Sequence, residues 1–192
     1  MKKAISVLLF LMMTVLLYAE ASAASTTETG KYGSGGGFVT YKKTIYDDGS
    51  GSVTITGYEG TITTLGIPPT IDNVPVKSIK EYAFRNNTSI TSLEIAGPYM
   101  ETIGQEAFSG CTNLEAATLP TSLRFLRSNA FSKCSSLTEI TLPNSLEALE
   151  ISAFTAARRL KVYSCPPVLK PSGGMHLRTA PASRIFVSIL PT

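Results

Sequence analysis

Three glutamates are the residues whose spacing comes closest to a chemical site. Glu94, Glu115 and Glu139 follow one another at intervals of 21 and 24 residues. Paired carboxylates serve as general acid and base when burial raises the pKa of one of them, but nothing in the surrounding pattern buries these three. His176 is the only histidine and lies in a Pro- and Gly-rich segment. An enzyme is therefore not expected.

Metal and cofactor sites are not expected either. One histidine and three dispersed cysteines do not match the ligand spacing of a zinc site. The glycine-rich stretch 33–37 is not followed by the Lys-Ser/Thr pair of a phosphate-binding loop. Asp47 and Asp48 lack the ligand spacing of a calcium loop. With catalysis and metal or cofactor binding not expected, the remaining function is recognition of another molecule.

The element that must position the glutamates is a repeat of 23 or 24 residues. It is marked by an Ala-Phe pair, with copies at Ala83-Phe84, Ala107-Phe108, Ala130-Phe131 and Ala153-Phe154. The positions eight and five residues before the Phe, and three, six, nine and eleven residues after it, are apolar in every copy except at Asn87. Residues 61–67 match part of the pattern without a Phe. A period of this length indicates a solenoid, whose units bury their apolar faces only by stacking.

Each copy combines two kinds of spacing. The segment from Leu137 to Leu142 ends in alternation, as a short strand does, and Pro143 ends it. The spacing around Ala130-Phe131 is closer to that of a helix, which predicts a short helical or 3₁₀ piece. The sequence therefore predicts an α/β-type solenoid of four or five coils over residues 61–165, with one parallel strand sheet.

The repeated unit LPxSLxxL…AFxxCxxLxxIxLP resembles the BspA-type leucine-rich repeat of bacterial surface proteins. The segment from Leu119-Pro120 through Leu142-Pro143 carries the motif, and the segment from Gly51 to Val76 is similar to the usual start of such arrays. The match covers about residues 51–167. The resemblance implies an exported, non-enzymatic protein used for adhesion or protein recognition at cell surfaces.

Cys111 and Cys134 occupy the same position in consecutive copies. Stacked strands lie about 4.8 Å apart, and a disulfide tolerates that Cα separation. The interpretation we favour is a pair of buried thiols acting as small apolar side chains, because a bridge would require both side chains to turn toward each other. Cys165 falls in another column and is expected to be unpaired.

Residues 1–23 have the features of a secretory signal peptide. Lys2 and Lys3 precede an uncharged run over residues 4–19, and the small residues Ala21-Ser22-Ala23 follow. An uncleaved membrane anchor is the alternative, but the run is shorter than the roughly 20 residues that span a bilayer. We therefore expect cleavage after this motif and an exported protein that is periplasmic, on the outer surface or secreted.

The next two segments are predicted from composition and alternation. Residues 24–37 are rich in Ser, Thr and Gly and predict a flexible leader. Residues 38–60 predict a β-hairpin, because Val53 to Thr56 alternates with period two and Asp48-Gly49 fits the turn. Such a hairpin would cap the first open edge of the solenoid.

Residues 166–192 are predicted to form a basic tail with an incomplete C-terminal cap. Arg184 to Val187 resembles the closing segment of such arrays, but the aromatic-rich ending is absent, so the last coil edge is expected to be poorly covered. No acidic residue follows Glu150, while six basic residues do: Arg158, Arg159, Lys161, Lys170, Arg178 and Arg184. This pattern predicts either a solvated tail or contact with an anionic surface. The net charge of the whole chain is only +3, so nucleic acid is not an expected partner.

The outward positions of the strand sheet are the candidate partner-binding residues. Those we name are Ser92, Glu94, Glu115, Thr118, Glu139, Thr141, Lys161 and Ser164. They form either a mildly acidic, Thr-rich recognition strip or an ordinary solvated sheet face. Five strands with three or four residues each cover roughly 20 by 12 Å, well below the roughly 800 Å² per partner of a standard interface. One copy is therefore expected to bind in the micromolar range or more weakly.

Two functions agree with these observations. The first is an adhesion or recognition module that contacts a host or envelope protein through the strand face. The second is a structural envelope protein that self-associates, with the C-terminal edge of the solenoid as the contact.

Overall fold

A computed structural model describes residues 25–150, 152–163, 178–179 and 185–186 and has the form of a solenoid of about four coils. Three strands precede the coils, namely β1 (Thr26–Ser34), β2 (Gly37–Ile45) and β3 (Gly51–Gly60). The strands that follow are β4 (Thr64–Ile67), β5 (Thr70–Ile71), β6 (Val74–Ile79), β7 (Ser92–Ile95), β8 (Thr102–Ile103), β9 (Ala116–Thr118), β10 (Phe125–Leu126), β11 (Glu139–Thr141), β12 (Ala148–Leu149), β13 (Lys161–Tyr163), β14 (Arg178–Thr179) and β15 (Ile185–Phe186).

The strands form two main sheets, where the sequence predicted one. Sheet A has the order β1-β2-β3-β6-β8-β10-β12, and sheet B has the order β14-β15-β13-β11-β9-β7-β4. Neighbouring coils pair in parallel in both sheets, at Ile79↔Ile103 in sheet A and at Leu93↔Ala117 in sheet B. Both sheets point these apolar positions into a shared core.

The α/β-type designation is wrong, because the described residues contain no helix. Each Phe lies in an arc between two residues with φ of 51° to 76°, in the left-handed region that a right-handed helix excludes. These residues are Tyr82, Glu106, Asn129 and Ser152 before the Phe, and Asn86, Gly110, Lys133 and Ala156 after it. Tight turns close the arc instead, as in the bonds from Arg85 N–H to the Tyr82 carbonyl and from Asn87 N–H to the Phe84 carbonyl, both 3.1 Å.

The arcs also bond to one another along the solenoid. The N–H of Phe84 donates to the carbonyl of Ala107 at 2.8 Å, and the N–H of Phe108 donates to that of Ala130 at the same distance. The N–H of Phe131 repeats the bond to Ala153. Every coil is therefore held to the next by backbone bonds in two sheets and in the arc.

The four phenylalanine rings form a stack through the core. Consecutive centroids lie 5.1, 5.1 and 5.8 Å apart from Phe84 to Phe154, and the interplanar angles are 14° or less. Tyr58 of β3 adds a fifth ring, 5.7 Å from that of Phe84. The ring column therefore continues into the N-terminal strands.

The hairpin of β2 and β3 extends sheet A, because β3 pairs in parallel with β6. The prediction of a flexible leader over residues 24–37 is wrong for most of that segment, since all of β1 pairs antiparallel with β2. Main-chain pairing does not depend on side-chain type, and a Ser- and Thr-rich segment can supply it. The turn after β1 also covers the first strand of sheet B, where the N–H of Thr63 donates to the Gly35 carbonyl at 3.2 Å.

Cys111 and Cys134 are buried free thiols, so the interpretation favoured from the sequence is confirmed. The Cys111 thiol donates to the Phe84 carbonyl at 3.2 Å, and the Cys134 thiol donates to the Phe108 carbonyl at 3.2 Å. Each thiol thus bonds to the coil before its own. Cys165 lies outside the described residues.

The candidate signal peptide of residues 1–23 lies outside the described residues. Residues 166–192 also lie outside them, apart from β14 and β15. β15 pairs antiparallel with β13 at Val162↔Ile185 and so extends sheet B beyond the last coil. No helix in the described part of the chain is long and apolar enough to cross a membrane.

Candidate recognition surface

The outer face of sheet B carries most of the positions singled out in the sequence. Along β9 and β11 the burial pattern is exposed, buried, exposed, with Ala117 and Ile140 turned into the core. β7 follows the same alternation, so Glu94 is exposed between two buried residues. The alternation of buried and exposed residues that was predicted for the repeat strands is therefore present in β7, β9 and β11.

Parallel pairing sets the candidate residues in rows along the solenoid. Ser92, Ala116, Glu139 and Lys161 share one row, and Glu94 lies beside Thr118 in the next. Glu115 lies one residue before β9, at the margin of the strand face, where its N–H donates to the Thr91 carbonyl at 2.8 Å. Seven of the eight candidates are thus placed together, at Ser92, Glu94, Glu115, Thr118, Glu139, Thr141 and Lys161. Ser164 lies outside the described residues.

The side chains of this surface are short. Thr64, Thr118 and Thr141 are exposed threonines. Gly66 lies beside Glu94, and Ala116 lies beside Glu139. Short side chains leave the sheet flat, so a partner can approach the strands over their whole length. Glu94 and Glu115 form no ion pair with another described residue.

The outer face of sheet A is built differently and was not predicted from the sequence. Seven residues before each Phe the charge alternates, through Lys77, Glu101, Arg124 and Glu147. Lys77 Nζ lies 3.8 Å from Glu101, and Arg124 bonds Glu147 through two nitrogens at 2.7 and 2.9 Å. The Arg124 guanidinium lowers the pKa of Glu147 from its ordinary value by hydrogen bonding. The K-E-R-E column was the signal in the sequence that could have revealed this face.

A second row on sheet A matches charges in the same way. Arg127 bonds Glu150 at 2.7 Å, and Glu150 also accepts hydrogen bonds from the N–H and hydroxyl of Ser128 at 3.0 and 2.7 Å. The bond from Arg127, followed by that from Ser128, holds the pKa of Glu150 below its ordinary value. The guanidiniums of Arg124 and Arg127 both lie over the ring of Phe125, at 5.1 and 5.0 Å from its centroid.

The two faces therefore differ in how their charges are used. On sheet A each of these charges has a partner on the neighbouring coil. On sheet B the carboxylates of Glu94 and Glu115 have no such partner among the described residues. A cationic group of another molecule can pair with them without first breaking a bond within the chain.

Comparison with known proteins gives one family and several similar folds. The model of the BspA type leucine rich repeat region matches residues 61–173 in six copies. A leucine-rich repeat protein of T. pallidum is similar at 28% identity and a TM-score of 0.53, over 64% of this chain and 67% of that chain. One from Bacteroides capillosus ATCC 29799 is similar at 30% identity and a TM-score of 0.50, over 63% of this chain and 88% of that chain. No curated protein matches the sequence significantly.

Proposed function

This chain belongs to the BspA-type leucine-rich repeat family, and from that premise we propose that it is an exported, non-enzymatic module for adhesion or protein recognition. Leucine-rich repeats of this kind typically serve in protein–protein interaction or adhesion. In our proposal a host or envelope protein docks on the outer face of sheet B, against the candidate residues around Glu94, Thr118 and Glu139.

The observation that carries the proposal is the contrast between the two sheet faces. The charges of the sheet A rows are matched between coils by Arg124–Glu147 and Arg127–Glu150. The sheet B face presents short side chains with the carboxylates of Glu94 and Glu115, which lack ion pairs within the described residues. Complementary charge across an interface adds specificity and speeds association. The partner segment on this face is therefore expected to carry Lys or Arg.

The size of the face limits the affinity. Five coil strands at about 4.8 Å spacing span roughly 20 Å, and such a patch is well below the roughly 800 Å² per partner of a standard interface. A single copy is expected to bind with a dissociation constant in the micromolar range or weaker. Tight attachment would come from several copies acting together.

Export is part of the proposal and is supported by the apolar run and small-residue motif within residues 1–23. Protease or biotin accessibility on intact cells tests it directly. Labelling of the protein on intact cells places it on the surface and suits adhesion to a host. Labelling only after the envelope is opened excludes host adhesion and leaves an envelope partner.

Site-specific photo-cross-linking tests the proposed face in the cells that make the protein. A photoreactive residue replaces Thr118 on sheet B in one variant and Thr102 on the outer face of sheet A in the matched control. We expect a discrete adduct from position 118 that unlabelled protein competes away, and none from position 102. An adduct formed equally well at both positions, or only at 102, would rule out the sheet B face.

The second candidate is a structural envelope protein that self-associates at the C-terminal edge. Leu149 of β12, the last strand of sheet A, supports it, since this side chain is half-buried where Ile79, Ile103 and Leu126 are fully buried. Sedimentation at increasing concentration tests this candidate, and a monomer throughout would exclude it. Contact of the basic C-terminal segment with an anionic surface stays a prediction, to be checked by binding to anionic vesicles.

A further inference from the structure

Within the described residues, the outermost strand of sheet A has one edge open. β1 runs for nine residues from Thr26 to Ser34 and pairs along its whole length with β2. Among the described strands β1 pairs with no other, so its second edge presents main-chain N–H and C=O groups outward. At the other side of the cap, the turn at Gly35 covers the first strand of sheet B.

Two of the devices that protect a free edge, proline and a β-bulge, are missing from β1. It contains no proline, and the register shift of the cap falls in β2, between Thr40 and Tyr41. Its two charged side chains are both turned to partners within the sheet. Lys31 Nζ lies 2.6 Å from Glu59, and Glu28 lies 2.9 Å from Lys43 Nζ. A nine-residue strand edge of this kind is a site for strand addition.

We propose that the open edge of β1 is an interaction surface for a second copy of this chain, which pairs with it strand to strand and antiparallel. The edge is self-complementary under a twofold axis perpendicular to the sheet, because residues opposite each other then lie on the same face of it. Each copy contributes nine residues without a net charge, and the sheet continues across the pair.

The charges of β1 restrict the register of this pairing. An axis at Glu28 or at Lys31 would set like charges directly opposite each other, which is unfavourable. An axis at Thr29 or Gly30 avoids this, and the Gly30 axis pairs all nine residues. One strand edge buries far less than the roughly 800 Å² per partner of a standard interface, so the dimer is expected to be weak and visible only at high concentration.

Thr29→Lys is the decisive variant. With the axis at Thr29 the new lysine faces its own copy, and with the axis at Gly30 it faces Lys31 of the second copy. Like charge opposes pairing in both registers, so the dissociation constant should rise roughly 2- to 10-fold. Thr29→Glu distinguishes the two registers. It strengthens pairing only with the axis at Gly30, because the new glutamate then faces Lys31 of the second copy. The matched control is Thr112→Lys, which changes an exposed threonine outside both proposed surfaces.

Sedimentation equilibrium on the chain as its cells produce it is the measurement, with circular dichroism to check that each variant folds. The proposal expects a concentration-dependent dimer that Thr29→Lys weakens and Thr112→Lys leaves unchanged. A monomer at all concentrations overturns it. A dimer indifferent to Thr29→Lys also overturns it and assigns association to another surface, such as the C-terminal edge.

Cross-linking supplies a second readout. In a Cys165→Ser background, where the remaining native thiols are buried, a cysteine added at position 29 should give a dimer with a short bis-maleimide, whereas a cysteine at position 112 should not. Attachment of a different protein at position 29, with no dimer, would overturn the second copy as the occupant. Because this edge is independent of the sheet B face, failure here leaves the proposed recognition function untouched.

Discussion

The ring of Phe108 stacks on the ring of Phe131, with 5.1 Å between centroids and 9° between planes. The two residues are 23 positions apart in the sequence and fully buried. This contact repeats with the period of the array, because backbone bonds between the same arcs hold neighbouring coils at the distance that stacks the rings. The ring column thus couples the register of the coils to the packing of the core.

Phe131→Ala tests the ring column. We expect the free energy of unfolding to fall by about 3–5 kcal/mol, because the substitution leaves a cavity between two stacked rings. Phe125→Ala is the matched control, since Phe125 is half-exposed on the outer face of sheet A. Urea denaturation of both variants measures the difference. Equal losses at the two positions would contradict a core stabilised by this stack.

Gly104→Ala tests the close approach of neighbouring coils. A Cβ at Gly104 would lie 2.5 Å from the amide nitrogen of Glu81 and 2.8 Å from the carbonyl oxygen of Ile79. Both are backbone atoms, so we expect a loss of about 1–3 kcal/mol in unfolding free energy. Gly66→Ala is the control, because nothing lies within 4 Å of its added Cβ. Thermal melts of the two should separate clearly, and a neutral Gly104→Ala would refute the tight packing.

The two buried thiols should be unreactive in the folded protein. Burial raises the pKa of Cys111 to about 12, and burial followed by the charge of Cys111 raises that of Cys134. At pH 8 the thiolate fraction of Cys111 is then roughly three orders of magnitude smaller than that of a cysteine with the ordinary pKa. In a Cys165→Ser background we expect a thiol reagent to label both residues only after urea unfolds the chain. Rapid labelling without urea would contradict this burial.

The Arg127–Glu150 pair should make stability depend on pH in acid. The folded state lowers the pKa of Glu150, so its contribution is complete above the ordinary glutamate pKa, about 4.3, and is lost as the pH falls through the lower folded value. Glu150→Gln should destabilise the protein at pH 7 by no more than about 1 kcal/mol, because the side chains of Arg127 and Glu150 are 44% and 35% exposed.

The difference between wild type and Glu150→Gln should shrink as unfolding is measured at lower pH. Glu81→Gln is the control, since Glu81 is exposed and has no ion pair within the described residues. A gap between wild type and Glu150→Gln that stays constant down to pH 2 would contradict an electrostatic role.

The repeat, the core columns and the strand face could be predicted because they depend on apolar spacing. Leu93, Ala117 and Ile140 follow the period of the repeat, and stacking fixes what lies beside them. The turns around each Phe could not be predicted, because residues such as Tyr82 and Glu106 adopt positive φ without the glycine that would signal it. Each arc is held by bonds to the next coil, which local spacing does not report.

Two other features left no clear signal of the usual kind. The coil strands of sheet A, such as β8 and β10, are two residues long, too short for alternation to appear. β1 has the composition of a linker, and it becomes a strand because β2 offers it a partner edge. The role of the candidate residues on sheet B stays a prediction, since position alone does not identify a partner.

If partners dock on sheet B through its carboxylates, changing these carboxylates must weaken the affinity for the partner captured at position 118. Calorimetry with the triple variant Glu94→Lys, Glu115→Lys and Glu139→Lys should give binding at least about 10-fold weaker than wild type, whose own dissociation constant is expected to be micromolar or weaker. Glu81→Lys, an exposed change away from this face, should bind as wild type does. Unchanged affinity in the triple variant, or a nanomolar one-to-one complex with a monomeric wild type, would rule out docking of this kind on sheet B.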